Sequence, residues 1–393
     1  MRIGIFGGSF DPVHNEHVRL ARETIECLQL DRLFIMPAHT PPHKPDRVLS
    51  SNQDRLEMCR LGFANVNGAV VCDYEINNGG TSYTYLTCRY FRELYPNAEI
   101  FWLVGTDMLR DFPTWKNPTS ILNDVTLAVC GRNEKEGWWE KEEEDFYRIF
   151  GKKFVRVDCN GADVSSTKIR VLAGAGMSLT DFIDKKVVEY IEKNGLYNIP
   201  NAKEALSLEK QSRREHSARV AWMAAARASK LKISERKAIT SALFHDCAKN
   251  LSPDSPYLKG FILPTEWGEV PASVWHQFAG AYVAEHSFGV EDEDILNAIR
   301  YHTSGRPNMS ALEKLIFLAD MLEEARSYDC VDLLRGLFHK GKDLNECLEV
   351  ALYETLRFLK EKNADVYPLT EQAYAYIKEE NENMGDNYGT GNQ

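Results

Sequence analysis

The sequence predicts a chain in two parts, a doubly wound parallel α/β sheet followed by an all-α bundle, and three observations predict it. Between residue 2 and about 160, short apolar runs alternate with helix-length amphipathic stretches, which is the spacing of a βα repeat. Between 205 and 378, long segments of 3.6-residue period occur with no strand pattern. Between the two, Gly195 and Pro200 interrupt the chain, and both residue types stop helices.

Taken in order, the strand candidates are RIGIFGG (2–8), RLFIMPA (32–38), VVCDY (70–74), IFWLVG (100–105), VTLAVCG (125–131) and FVRVD (154–158). Near-continuous apolar runs of this length suit strands buried on both faces, so the sheet is expected to be parallel and Rossmann-like. The acidic run EKEGWWEKEEEDFYR (134–148) reads as a solvated helix between two strands. Two closing helices are expected, one from near Ser165 and Ser166 and one from near Thr180 that ends at KNGLYNIP (193–200). Residues 198–204 are the expected linker, leaving a first domain of 1–197 and a second of 205–378. In the second, HSARVAWMAAARAS, AITSALFHDCAK, ALEKLIFLADMLEEA and CLEVALYETLRFLKEK carry the helical period. The tail from Glu379 has too little apolar content to fold on its own.

Bulk properties narrow the function. A chain of 393 residues is too long for one comfortable core. Hydrophobic content of 44% beside 27% charged residues is ordinary for a globular protein, and no apolar run approaches a membrane span. The opening IGIF runs into two glycines and suits a buried strand better than a secretion signal, so the chain is expected to be cytoplasmic. A formal net charge of −11 excludes broad, phosphate-driven binding to nucleic acid. The nine cysteines are dispersed with no C-x-x-C pair, the pattern of reduced thiols.

The stretch GIFGGSFDPVHNEH (4–17) places Gly7 and Gly8 after a buried strand, where the backbone can approach a ligand closely. A helix starting near His14 offers free N–H groups to phosphate, and His14 and His17, at i and i+3, share a face of its first turn. Two imidazoles there can hydrogen-bond a triphosphate whose charge builds up during transfer. Read locally, the same residues are equally a glycine turn with two surface histidines.

That stretch resembles the first signature of the H-x-G-H nucleotidyltransferase superfamily, and VSSTKIR (164–170) resembles its second. MPAHTPPHK (36–44), GGTSYTYLT (79–87) and FWLVGTDMLRDFPTWKNP (101–118) narrow the resemblance to bacterial nicotinate mononucleotide adenylyltransferase. It implies that His14 and His17 contact the ATP phosphates, with Gly7, Gly8, Ser9 and Phe10 beside them. It further implies that Ser166, Thr167 and Arg170 hold the triphosphate, that Lys44 reaches the phosphates and that Asp107 touches the ribose region. Trp115 is implied to stack on the pyridine ring and Thr81, Ser82 and Tyr83 to receive its carboxylate, with Mg²⁺ accompanying ATP. Taken alone, Trp115 reads as a core or surface aromatic. Glu16 departs from the pattern, since the family has glycine there. Its carboxylate either crowds ATP or points outward to satisfy the helix dipole. If it silences the site, the domain senses nucleotide and the second domain carries the only activity.

The second domain carries His216, the adjacent His245 and Asp246, His276, His302 and Asp320 on separate expected helices. A helical bundle builds metal sites in this way, and the HD doublet, expected inside the apolar helix ALFHDCAK, buries a carboxylate that needs a partner. The set resembles an HD-domain metal-dependent phosphohydrolase, which makes His216, His245, Asp246 and Asp320 metal ligands and His276 and His302 ligands of a second ion. RREHS (213–217), FHDCAKNL (244–251), AIRYHTSGRPNMSALEKLIFLADMLE (298–323) and FLKEKNADVYP (358–368) resemble the bacterial HD family that hydrolyses diadenosine tetraphosphate into two ADP. Mixed histidine and carboxylate ligation suits Fe, Mn or Co. Lys249, one turn beyond His245, and Arg306 are candidates to neutralise the phosphate chain, and both also read as surface charges. LEEAR (322–326) keeps Glu323 and Arg326 of the family's I-E-P-x-R but has Glu324 where proline is expected.

Overall fold

The computed structural model describes residues 1–42, 48–131, 137–159, 164–341 and 343–389, with no side chain described for Glu266 or beyond 383. The chain divides into two units, Met1–Arg170 with Ser178–Leu196, and Val171–Met177 with Tyr197–Gln393. The expected boundary at 197 is therefore only partly observed. Residues 171–177 belong with the second unit, and the expected linker is not a tether. Ile199 and Ala202 are buried in the second unit's core, and a helix begins at Ala202. Burial of these apolar side chains holds the segment down despite its turn-forming composition.

The first unit is one six-stranded parallel sheet of β1 (Arg2–Gly8), β2 (Arg32–Pro37), β3 (Ala69–Val71), β4 (Glu99–Gly105), β5 (Thr126–Gly131) and β6 (Val155–Asp158) in the order β3-β2-β1-β4-β5-β6. All six match the apolar runs. The third is shorter than expected because Asp73 already leads into a helix. The helices are α1 (Asn15–Cys27), α2 (Asn52–Gly62), α3 (Tyr74–Asn78), α4 (Thr84–Leu94), α5 (Thr106–Asp111), α6 (Pro118–Asp124), α7 (Trp138–Phe150), α8 (Ser166–Gly174) and α9 (Lys185–Lys193). The last starts five residues beyond Thr180, where the Asp184 carboxylate accepts from the Lys186 amide and caps it. Strand order reverses between β1 and β4, and in such sheets the crevice for a ligand opens there, at the carboxyl ends of the strands.

Arg55 on α2 has no exposed surface. Its guanidinium donates to the carbonyls of Ser9 (2.8 Å), Ser50 (3.2 Å) and His39 (3.3 Å) and to the Asn52 side chain. The loop leaving β1 and the loop leaving β2 are thus tied through one buried cation.

The second unit holds α10 (Ala202–Ser207), α11 (Gln211–Ala228), α12 (Glu235–Phe244), α13 (Ala272–His286), α14 (Glu293–Arg300), α15 (Ala311–Leu322), α16 (Val331–Lys340), α17 (Asn345–Glu361) and α18 (Pro368–Gly389). Ala221, Ala224, Ala238 and Ala242 have no exposed surface, and small side chains let α11 and α12 approach closely. None of the described helices is long and apolar enough to cross a membrane.

The expected disordered tail is a correction. α18 runs through it to Gly389. Ile377 is buried, the Asn381 amide donates to Glu349 (2.7 Å), and Glu380 lies 3.4 Å from Lys314. Contacts with α15 and α17 hold a segment whose composition alone does not fold; residues 390–393 lie outside the described residues.

Replacing Arg55 with Met leaves several buried carbonyls without a donor, at a cost of about 3 kcal/mol. Urea titration is expected to show the first unit's midpoint falling, and an unchanged midpoint refutes the structural role.

Two candidate active sites

The first site lies at the switch point. A cavity of about 380 Å³ is lined by Phe6, His14, Glu16, His17, Asp107 and Cys130, among others, so it draws on β1, α1, α5 and β5. His14 is the residue before α1 and His17 sits in its first turn. Their rings stack at 3.6 Å between centroids, and the His14 amide donates to His17 Nδ1 (3.2 Å). With Nδ1 accepting, the neutral His17 ring has its N–H at Nε2. Burial first, and the His14 ring second, hold His17 well below the usual histidine range. It therefore acts as a neutral donor rather than a cation.

The two signature stretches meet here. Ser166 Oγ donates to the Pro12 carbonyl (2.9 Å), the Arg170 guanidinium donates to the Asp11 carbonyl, and its other nitrogen donates to Thr167 Oγ1 (3.0 Å). Gly105 is needed beside Asp107, because a Cβ there would sit 2.7 Å from the Asp107 carboxylate.

Three expectations change in detail. Gly7 ends inside β1, and its missing Cβ makes room for the Trp102 indole, 2.8 Å from where that atom would lie. The Phe10 side chain is buried against Phe6, His17 and Phe63, so only its backbone can face a nucleotide. Glu16 does not point outward: it is 9% exposed, lines the cavity and receives Arg19 Nε (3.1 Å) and the NH2 nitrogen (2.8 Å). The attraction of Arg19, one helical turn on, turns it inward.

The implied acceptor elements are placed separately. The Ser82 amide donates to the Thr40 carbonyl and Ser82 Oγ accepts from the His39 amide, both at 2.9 Å, while Lys116 lies over the Tyr83 ring at 4.0 Å. Thr81 is exposed, whereas Trp115 is only 7% exposed and packs against Phe112. Its ring is largely committed to the core. Lys44 lies outside the described residues. Arg55, which fastens Ser9 and His39, was missed; the available signal was an arginine amid the buried positions Leu56, Met58 and Cys59.

The second site gathers six expected residues. His216 comes from α11, His276 from α13 and Asp320 from α15, while His245 and Asp246 follow α12 and His302 follows α14. The HD doublet is thus not inside a helix. Bonds from the Cys247 amide to Phe244 and from the Lys249 amide to Asp246 turn the chain tightly, which lets two successive residues face one point, as a continuous helix does not. Three sets of donor atoms converge within 4.8 Å: His216, His245 and Asp246; His245, His302 and Asp320; and Asp246, His276 and His302.

The surroundings set the tautomers. His245 Nδ1 lies 2.7 Å from the Ala242 carbonyl and His302 Nδ1 lies 2.8 Å from the Ile299 carbonyl. A carbonyl only accepts, so each Nδ1 carries the proton and each Nε2 turns a lone pair to the cluster. His216 Nδ1 lies 3.2 Å from Glu323. His216 Nε2, His245 Nε2 and Asp246 Oδ1 are buried and make no hydrogen bond of good geometry, although His216 Nε2 lies 2.9 Å from Asp320 and Asp246 Oδ1 lies 3.3 Å from His276 Nε2. Orphaned lone pairs at a buried point are costly, and a divalent cation fits them.

Burial first, partly offset by Asp246, lowers His245 to about 4, and burial likewise lowers His276 to about 4. Burial opposes ionisation of Asp246 and Asp320, but the surrounding histidines outweigh it and hold both well below the usual carboxylate range. Glu323 is brought down to about 2 against its own burial by His216 and Arg219. His245 and His276 are therefore neutral imidazoles beside ionised carboxylates, donors of the kind a cation requires.

Lys249 Nζ lies 2.8 Å from His276 Nε2, at the cluster. Arg306 is placed otherwise, because buried Glu313 engages it with both oxygens (2.7 and 3.0 Å) at the start of α15. Its charge completes a helix cap, and no hydrogen bond or ion pair joins it to the cluster among the described residues. Two other cations stand there instead, Arg213, which was missed, with NH1 3.0 Å from Asp246, and Arg326 of the LEEAR stretch, with NH2 2.8 Å from Asp320. Arg213 sits three residues before His216 in RREHS, a helical spacing that carried the signal.

His245→Ala and Asp320→Asn are expected to lose the bound metal, read by elemental analysis of the purified protein; full retention refutes ligation. In chelator, the second unit is expected to lose stability as pH falls from about 6.5 to about 4. The unfolded histidines protonate near 6.5 while folded His245 and His276 do so near 4, so the unfolded chain takes up protons first. His216, raised by Asp320 and Glu323 against its burial, works in the opposite sense and reduces the loss. Urea midpoints at pH 7 and pH 5 check the sign.

A cytidylyltransferase-like family model matches residues 5–172 and an HD domain model matches 213–325. A probable nicotinate-nucleotide adenylyltransferase/Ap4A hydrolase of Mycoplasma genitalium is 30% identical over 337 residues, 84% of this chain and 89% of that protein. One of the same description from Mycoplasma pneumoniae is 29% identical, covering 88% and 97%. A probable nicotinate-nucleotide adenylyltransferase of Gloeobacter violaceus is 36% identical over 200 residues, 51% of this chain and 97% of its own. The chain accordingly belongs to the family of two-domain nicotinate-nucleotide adenylyltransferase/Ap4A hydrolases, enzymes that join a nucleotidyltransferase to an HD hydrolase.

Proposed function

We propose that the first unit transfers the adenylyl group of ATP to nicotinate mononucleotide, giving deamido-NAD and pyrophosphate. The second unit hydrolyses diadenosine tetraphosphate symmetrically into two ADP. The observation that carries the first half is the junction of the two signature stretches, Ser166 to Pro12 and Arg170 to Asp11, beside the cavity that His14 and His17 line. The convergent, orphaned nitrogens of His216 and His245 beside Asp246 carry the second.

In the first reaction a phosphate oxygen of the acceptor attacks the α-phosphorus of ATP, the bond to the β-phosphate breaks, and its electron pair leaves with pyrophosphate. His14 and neutral His17 hydrogen-bond the phosphate oxygens as charge moves onto them. Ser166, Thr167 and Arg170 hold the leaving end, Lys44 adds a positive charge and Asp107 orients the ribose region. Gly8 and the Ser9 and Phe10 backbone border the phosphates. Thr81, Ser82 and Tyr83 receive the pyridine carboxylate, and the remaining edge of Trp115 closes over the ring. Mg²⁺ bound with ATP supplies counter-charge.

In the second reaction water adds to one of the two central phosphorus atoms and the bridge between the central pair breaks, so both products are ADP. His216, His245, Asp246 and Asp320 hold one cation, and His276 and His302 hold a second with Asp246. These residues would hold Fe or Mn, which when bound would supply water activation and counter-charge for the non-bridging oxygens. Lys249 and Arg213 supply fixed positive charge to the phosphate chain.

The test gives the intact protein Mg-ATP with either nicotinate or nicotinamide mononucleotide and follows pyrophosphate. A preference of about tenfold or more for the nicotinate form is expected. No release with either acceptor overturns the first assignment and leaves a nucleotide-sensing domain. Diadenosine tetraphosphate with Mn²⁺ is expected to yield ADP alone, and AMP with ATP overturns the second.

A further inference from the structure

The motif position that carries glutamate in place of glycine comes with its own compensation. Glu16 and Arg19 both line the cavity with His14, His17 and Asp107. Arg19 gives Glu16 two hydrogen bonds, from Nε at 3.1 Å and from NH2 at 2.8 Å, and turns its remaining nitrogen to Glu23. Arg19 is the one arginine or lysine among the described residues that line this cavity. Its guanidinium therefore lies between two carboxylates at i−3 and i+4, with one edge toward the space that the adenylyltransferase reading gives to the triphosphate.

We propose that Arg19 is a nucleotide-positioning residue of the first site, and that Glu16 and Arg19 act as a charge-compensated pair in place of the motif glycine. The inference rests on the adenylyltransferase reading. A bare carboxylate on the wall of a polyphosphate cavity repels its ligand, and little water is left there to screen it. Held by the planar guanidinium fork, that carboxylate has much of its charge offset, with Arg19 shared between it and Glu23. The fork also fixes the Glu16 side chain along α1, leaving the centre of the cavity open. The competing account is an ordinary helix-surface pair, whose loss costs a few tenths of a kcal/mol and does not touch ATP.

A double-mutant cycle separates the two. Parent, Arg19→Ala, Glu16→Gln and the double variant are compared for kcat, for KM of ATP and of nicotinate mononucleotide, and for Mg-ATP affinity by calorimetry without acceptor. Arg19→Ala is expected to weaken ATP by about tenfold or more in KM and in affinity, with KM for the acceptor unchanged. In the Glu16→Gln background the same substitution is expected to cost less than about threefold, because no charge is left to compensate. Arg19→Lys is expected to recover part of the loss, the part that charge alone supplies without the fork. An equal penalty in both backgrounds, or a change confined to melting temperature, overturns the proposal. If the parent releases no pyrophosphate, the adenylyltransferase reading fails by itself. The four calorimetric affinities still decide whether the pair acts on ATP, and unchanged affinity across them refutes it. Glu16→Gly replaces Glu16→Gln if the latter does not fold.

Discussion

Asp246 is a carboxylate with 1% of its surface exposed, and the second unit is arranged around the need to keep it ionised. Burying a charge is tolerated only when partners surround it. Here they come from four places in the chain: His245 beside it, Arg213 from α11, His276 from α13 and His302 after α14. Each helix is thereby directed to one point, and alanine-rich packing between α11 and α12 lets them approach it. An outer layer, the Ala242 and Ile299 carbonyls and Glu323, fixes which face of each imidazole is turned inward. The same constraint that stabilises the carboxylate prepares a cation site.

The first unit solves a related problem with the opposite distribution of charge. The parallel sheet supplies the crevice, and the start of α1 borders it. Precision comes from fastenings behind the cavity. Arg55 holds the loops after β1 and β2 together, and Arg170 and Ser166 hold the stretch before α1. These groups donate to main-chain carbonyls, so their effect is on the position of the backbone that borders the ligand.

The two units thus present different arrangements of charge, one of imidazoles and helix amides around a cavity and the other a buried cluster that fits metal. The enzyme family joins a nucleotidyltransferase and an HD hydrolase in one chain, and each unit has a candidate site built of its own residues. Arg306 shows how local evidence misleads in this setting: a positive residue near His302 in sequence is engaged by Glu313 at a helix cap.

Hydrophobic period alone determined the six strands and the helical second half, because burial on two faces or one stripe leaves a repeating mark. The glycine and histidine signature, the VSSTKIR stretch and the HD doublet were equally legible, since their chemistry demands particular residue types at short fixed spacing. What only the tertiary structure decided depends on pairs distant in sequence or on the direction of a side chain. It turned Glu16 into the cavity toward Arg19 and set Trp115 into the core. It placed His245 and Asp246 on a turn beyond α12, and it carried the polar tail into α18 against α15 and α17. Composition and period carry no term for which partner a charged group finds after folding, and that choice is made by the geometry of packing.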